Sequence, residues 1–108
     1  MDIIIGIREK VAAGFYEYSK HAVNESILRK LSVEEIRYAI LSDLELLEDY
    51  PDDHYGPSCL VFGFTKAMRP IHLVMSYPTR QMVKIITVYE PDPLDWTNHR
   101  IRKARSIS

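Results

Sequence analysis

His72 stands in the run Pro70-Ile71-His72-Leu73-Val74-Met75-Ser76-Tyr77. Strand alternation sends His72, Val74 and Ser76 to one face and Ile71, Leu73, Met75 and Tyr77 to the other. A histidine in such an apolar strand is either a hydrogen-bonded structural residue or a general acid or base on an open sheet face. His21 and Arg29 lie eight positions apart on a helical stretch and share a face two turns apart. Tyr89 ends a strand-like run, and Arg100 follows it in a basic segment. Tyrosine, histidine, arginine and lysine without metal-binding carboxylates can cleave RNA without a metal ion. A base takes the 2′-hydroxyl proton, cations hold the phosphate and an acid protonates the leaving oxygen. Tyrosine and tryptophan can also stack on bases.

Other chemistries find less support. The histidines at 21, 54, 72 and 99 have no metal-site spacing, and the one cysteine is not in a Cys-x-x-Cys, so no metal or other cofactor is expected. Cys59 opens an apolar strand and reads as a small buried residue rather than a nucleophile. No glycine-rich phosphate loop and no nucleophile elbow is present.

The elements that must position these residues follow from spacing and caps. The 108 residues form one expected domain, 1–108, long enough to fold without a metal or disulfides. Asp2 caps a helix with Ile3, Ile7 and Val11 on one stripe, and Gly14 stops it. Phe15 to Tyr18 is ambiguous between turn and strand. Ser19 opens a second helix with Val23, Ile27 and Leu31 on one face. Ser32-Val33-Glu34-Glu35 is a capping box for a third, which sends Ile36, Ala39 and Ile40 inward. Four strands follow: an acidic edge over Leu44–Tyr50 ended by Pro51, then Ser58–Thr65, Pro70–Tyr77 and Gln81–Tyr89. Short connections favour antiparallel pairing. Asp92 with Pro93 then caps a C-terminal helix, with Leu94, Thr97, Ile101 and Ala104 on one side and Trp96, His99, Arg100 and Lys103 on the other. The expected fold class is α+β: N-terminal helices packed on a roughly four-stranded antiparallel sheet, followed by a C-terminal helix.

Charge is distributed unevenly. Six acids and no Lys or Arg fall between Asp43 and Asp53. Four bases and no acid fall from His54 to Tyr89, and another four from Trp96 onward, in a chain of formal net charge −1. The basic tail of Arg100, Arg102, Lys103 and Arg105 suits an anionic partner, either RNA or an acidic protein segment. No apolar stretch approaches the roughly 20 residues of a membrane span, so no membrane partner is expected. MDIIIGIREK lacks a signal peptide's basic start and cleavage site, and the single cysteine suits a reducing compartment, so a cytoplasmic location is expected.

Six runs carry a resemblance: Tyr18-Ser19-Lys20-His21-Ala22, Arg29 with Leu31-Ser32-Val33-Glu34-Glu35-Ile36, Glu48-Asp49-Tyr50-Pro51, Gly56-Pro57-Ser58-Cys59-Leu60, Arg69-Pro70-Ile71-His72-Leu73-Val74, and Thr87-Val88-Tyr89-Glu90-Pro91-Asp92-Pro93 through Trp96. Together they resemble the bacterial domain-of-unknown-function family 4258, over about Tyr16 to Lys103. The resemblance implies a relation to the RelE/ParE-like toxins, with helices against an antiparallel sheet and a C-terminal helix. It also implies a small antitoxin as partner, one with a Cys-x-x-Cys zinc module and a helix-turn-helix. RelE-like toxins cut mRNA on the ribosome, while ParE-like toxins inhibit DNA gyrase. The positions matching the family's polar motif residues are His21, Arg29, Arg69, His72, Tyr89, Trp96 and Arg100. The chain departs from the pattern at Glu25, Lys30 and His99, and an acid at 25 would repel phosphate.

Two functions therefore stand as expectations. In the first, the protein is a toxin-like, metal-independent mRNA endonuclease acting at the ribosome. His21 or His72 is the base or acid, Tyr89 stacks or donates a proton, and Arg29, Arg69, Arg100 and Lys103 hold phosphate. In the second, it is a non-catalytic binding protein of the same fold that pairs with an antitoxin or inhibits a protein target, with its histidines buried and bonded to backbone. A small-molecule enzyme using Cys59 and a histidine ranks last.

Overall fold

Asp2 begins the first helix, α1 (Ile3–Ala12): its carboxylate accepts from the Ile5 N–H at 3.1 Å, and Ile7 and Val11 are buried. The computed structural model describes residues 1–104. Gly14 leaves the helix at φ 84°, where a side chain would be strained, and the chain enters the three-residue strand β1 (Tyr16–Tyr18). Ser19 caps α2 (Lys20–Leu28) by accepting from the Ala22 N–H at 3.0 Å. The reciprocal Ser32–Glu35 capping box starts α3 (Val33–Leu41), which buries Ile36, Ala39 and Ile40. Strands β2 (Glu45–Tyr50), β3 (Ser58–Phe64), β4 (Pro70–Ser76) and β5 (Val83–Tyr89) follow, and then two two-residue strands, β6 (Trp96–Thr97) and β7 (Ile101–Arg102).

The class is α+β, as the sequence indicates, but the sheet is larger and mixed. It has five strands in the order β1-β5-β4-β3-β2. The segment before Ser19 resolves as a strand, and β1 joins parallel to β5, while all other pairs are antiparallel. The long excursion from β1 through two helices is what permits the parallel pair.

The three helices supply one face of the sheet with its core. Ile7, Val11, Ala22, Ile36, Ala39 and Ile40 meet Cys59, Val61, Ile71, Leu73, Met75, Val83, Ile85 and Val88. Burying these side chains is worth roughly 1.5–3 kcal/mol for each large aliphatic. Helix α3 comes so close to β3 that a Cβ on Gly63 would lie 2.8 Å from the Ala39 carbonyl oxygen. The expected alternation in β4 holds, with Ile71, Leu73 and Met75 in the helix-side core. In α2 the outcome differs: Leu31, just beyond it, is buried, but Val23 and Ile27 are exposed and Ala22 is the only buried residue of the helix.

Two β-bulges set what the opposite face carries. In β2 the register shifts between Leu46 and Glu48, leaving Leu47 as the extra residue. In β5 it shifts between Ile85, paired with Met75, and Thr87, paired with Val74. Each bulge inverts the alternation beyond it. Glu45, Glu48 and Tyr50 thereby share the face of Phe62, and Tyr89 comes to the face of its register partner His72.

The expected C-terminal helix does not form among the described residues. Asp92 accepts from the Leu94 N–H at 2.9 Å and its carbonyl closes one turn, but no helix follows for it to cap. Asn98 and His99 then adopt φ 53° and 63°, outside the right-handed helix, and make the tight turn of a β6–β7 hairpin. Arg105 lies outside the described residues. The facing also inverts: Leu94 is 81% and Ile101 66% exposed, whereas Trp96 is only 5% exposed. Trp96 is buried against the sheet face opposite the helices.

Candidate functional site

The hairpin covers His72. The imidazole is fully buried, with ring centroids of Trp96 at 4.5 Å, Tyr89 at 5.2 Å and Phe62 at 5.6 Å, all edge-on. Its Nε2 lies 2.6 Å from the His99 carbonyl oxygen, and its Nδ1 3.1 Å from the Tyr89 hydroxyl. A carbonyl can only accept, so Nε2 carries the proton and Nδ1 accepts from the Tyr89 O–H. The ring is neutral, and burial holds its pKa below the usual histidine value against the pull of the His99 carbonyl and Glu48. Burial likewise raises the Tyr89 phenol.

Two arginines of the hairpin clamp it to the acidic edge strand. Arg100 donates Nε and an η N–H to the two carboxylate oxygens of Glu45, both at 2.9 Å, and lies over the Phe62 ring at 4.9 Å. Arg102 does the same to Glu48, at 3.3 and 3.0 Å, and lies 4.6 Å from the Trp96 ring centroid. The Arg102 hydrogen bond holds the Glu48 carboxyl below its usual range, and Tyr50 also donates to it. Both pairs are partly solvated, so each contributes little alone; together they fix where the hairpin sits.

The remaining sequence-named residues are scattered. His21 is exposed on the first turn of α2, a helix that packs on the other side of the sheet from His72. Arg29 ends α2 and is paired with Glu25 at 3.1 Å. Arg69 makes a fork to Glu90, at 2.8 and 3.4 Å, lies 3.6 Å from Glu35 and donates to the carbonyls of Arg29 and Lys30. It ties the β3–β4 turn to the α2–α3 junction. Only His72, Tyr89, Arg100 and Lys103 gather in one region. There a cleft of about 390 Å³ is lined by Tyr89, Asp95, Trp96, Arg102 and Lys103. The expected C-terminal helix is a hairpin here, and its Arg100 and Arg102 face carboxylates. Among the described residues no group of three or more His, Cys, Asp and Glu is placed to hold a metal ion. No helix among the described residues is long and apolar enough to cross a membrane. Cys59 is fully buried, burial pushes its thiol up to about 12, and its sulfur lies 3.7 Å from the Met75 carbonyl. Among the described residues its sulfur has no imidazole in hydrogen-bond reach, which counts against the cysteine–histidine reading.

A match to the family model described as "Domain of unknown function (DUF4258)" spans residues 18–90. The chain belongs to this family. The matched span takes in the DUF4258 strands β2 to β5 and helices α2 and α3, and stops short of the hairpin that covers His72. No curated protein and no solved structure matches the chain.

Sequence reasoning missed the two acids that complete the site, Glu45 and Glu48. The signal was present in the run of acids from Asp43 to Asp53 and the run of bases after Trp96. What was missing was that the fold would bring the two together.

Proposed function

We propose that this DUF4258 chain is the toxin-like member of a bacterial toxin–antitoxin pair, related to RelE/ParE-like toxins, that acts in the cytoplasm by binding a protein rather than by cutting RNA. The binding part rests on one observation: Arg29, Arg69, Arg100 and His72 are engaged inside the molecule, while His21, though exposed, lies on the helix side of the sheet away from His72 and Tyr89. Arg29, Arg69 and Arg100 each face a carboxylate. His72 is sealed from solvent with both ring nitrogens bonded. A phosphodiester would have to displace Glu25, Glu90 and Glu45 and could not reach the imidazole. The toxin-like part is supported by the family motifs and by the order of helices before sheet. Its partner in this reading is a small antitoxin with a zinc module and a helix-turn-helix.

The ribonuclease remains the second reading, favoured by one feature. Tyr89, Arg102 and Lys103 line a common cleft, and Tyr89 is hydrogen-bonded to His72. In that reading, with mRNA at the ribosome, Tyr89 takes the 2′-hydroxyl proton and passes its own to His72 Nδ1, the 2′-oxygen bonds to the phosphorus that Lys103 holds, and the P–O5′ bond breaks with the 5′-oxygen taking a proton from solvent. The shifts of both groups oppose this transfer, since burial disfavours both phenolate and imidazolium.

Inducible expression in a bacterial host, following growth and mRNA integrity together, separates the two. Binding predicts arrest with intact mRNA, unchanged by Tyr89→Phe and relieved by the antitoxin. Early mRNA cleavage that Tyr89→Phe abolishes would establish the nuclease instead. Absence of both arrest and any antitoxin complex would remove the toxin-like assignment.

A further inference from the structure

Helix α2 carries an apolar stripe that the fold leaves uncovered. Of its nine residues only Ala22 is buried, against two in α1 and three in α3. Val23 and Ile27, one turn apart, are 41% and 69% exposed, and the neighbouring Leu28 is 75% exposed. A nine-residue helix gains little stability from its own hydrogen bonds, so an amphipathic pattern of this kind has value only where something packs on it. The charges bracket the stripe. Lys20 begins the helix and Lys30 follows it, both exposed and without an ion pair among the described residues. The one acid in the helix, Glu25, is taken up by Arg29.

We infer that this face of α2 docks an acidic amphipathic helix of a protein partner, with Val23, Ile27 and Leu28 against its apolar stripe and Lys20 and Lys30 against carboxylates near its ends. The inference rests on the binding reading and names the surface and the chemistry of its partner. The spacing of the lysines sets the partner's length: ten positions correspond to on the order of 15 Å, so its carboxylates sit about three turns apart. Two other occupants fit less well. A second copy in antiparallel register would bring each Lys20 against a Lys30, placing like charges at both ends of the contact. RNA would find aliphatic side chains with no ring face for a base to stack on.

The test co-expresses the full chain with the antitoxin of the proposed pair and measures the affinity of the purified complex. The Ile27→Asp variant should weaken binding about tenfold or more, as truncating a central apolar contact does. The Lys20→Glu, Lys30→Glu double variant should also weaken it, and should lessen its dependence on salt. Both replace exposed side chains, so the melting temperature of the free chain should not move; the lysine pair touches no packed group and serves if Ile27→Asp perturbs folding. The α2 amides should gain hydrogen-exchange protection in the complex. A complex that tolerates both variants, with α2 unprotected, overturns the docking surface and leaves the binding reading intact. No complex at all overturns both. A homodimer that Ile27→Asp dissolves assigns the face to a second copy and overturns the acidic-helix partner.

Discussion

Replacing His72 by leucine tests whether the buried imidazole holds the C-terminal hairpin in place. Leucine keeps most of the apolar volume but removes the hydrogen bonds to the His99 carbonyl and the Tyr89 hydroxyl. Each hydrogen bond contributes about 1 kcal/mol net. The Tyr89 hydroxyl is half-buried beside the cleft and can turn to water, but the His99 carbonyl is left facing an apolar side chain, which costs a further 1 kcal/mol or so. The two bonds and the stranded carbonyl come to about 3 kcal/mol, and leucine's added apolar surface offsets the lost edge-on contacts to Trp96, Phe62 and Tyr89, so the expected loss is about 3 kcal/mol, or roughly 12 °C in melting temperature for a domain of this size. Trp96 is the sole tryptophan, which makes its emission a direct report on hairpin docking. Urea unfolding should be followed in parallel by far-UV circular dichroism and by Trp96 fluorescence. The variant should show an earlier midpoint and a red-shifted native emission, with its far-UV spectrum nearly unchanged because the hairpin contains only four strand residues. A loss below about 1 kcal/mol with Trp96 emission superimposable on the wild type would refute the reasoning. The hairpin would then be held by its arginines and by Trp96 packing alone.

Acid should act through the same residue. The folded pKa of His72 is depressed, so the unfolded chain binds the proton first; stability is fully present above the ordinary value of 6.5 and falls as pH drops below it towards the folded value. Unfolding free energies from pH 7.5 downward should show this slope, and His72→Leu should flatten it. Gly63→Ala should cost about 1–3 kcal/mol in urea titrations, because its methyl must push α3 away from the 2.8 Å approach of the Ala39 carbonyl. Ser32→Ala should cost about 1 kcal/mol through loss of the capping box at α3, also read by urea titration. Cys59 should resist thiol reagents in the native protein at neutral pH and react on unfolding, and rapid labelling of the native chain would show that β3 is not sealed.

Local signals carried much of this fold. Ser19 and Ser32 announce their helices because a cap is a contact between residues three apart, visible in any sequence window. The alternation through Ile71, Leu73 and Met75 is equally local. The failures were all cases in which a distant contact outvoted a local one. Asp92-Pro93 reads locally as a helix start, but only a single turn forms there, and Asn98 and His99 turn the chain back so that Trp96 can reach His72. Val23 and Ile27 have helical spacing, yet α2 is set by Ser19, whose hydroxyl donates to the Ile86 carbonyl at 2.7 Å, and this fixes which side of the helix faces the sheet. His72 was correctly singled out as buried or functional, but its partners come from β5 and from a turn 27 residues away.

The two bulges explain why the site itself was the least legible part. Counting alternation along β5 from Ile85 places Tyr89 on the helix side, and counting along β2 from Glu45 places Glu48 there too. One extra residue in each strand reverses both. Without the β5 bulge, His72 would lose the hydroxyl that satisfies its Nδ1. Without the β2 bulge, Glu48 would turn to the helix side and the pair of Glu45 and Glu48 could not match two arginines on one hairpin. The basic tail of a nearly neutral chain is therefore answered first from within: Arg100 and Arg102 complement the acidic edge strand of their own sheet. Lys20 and Lys30, also exposed and without an ion pair among the described residues, flank the bare face of α2, and that moves the search for function from the sheet face that looks catalytic to this helix.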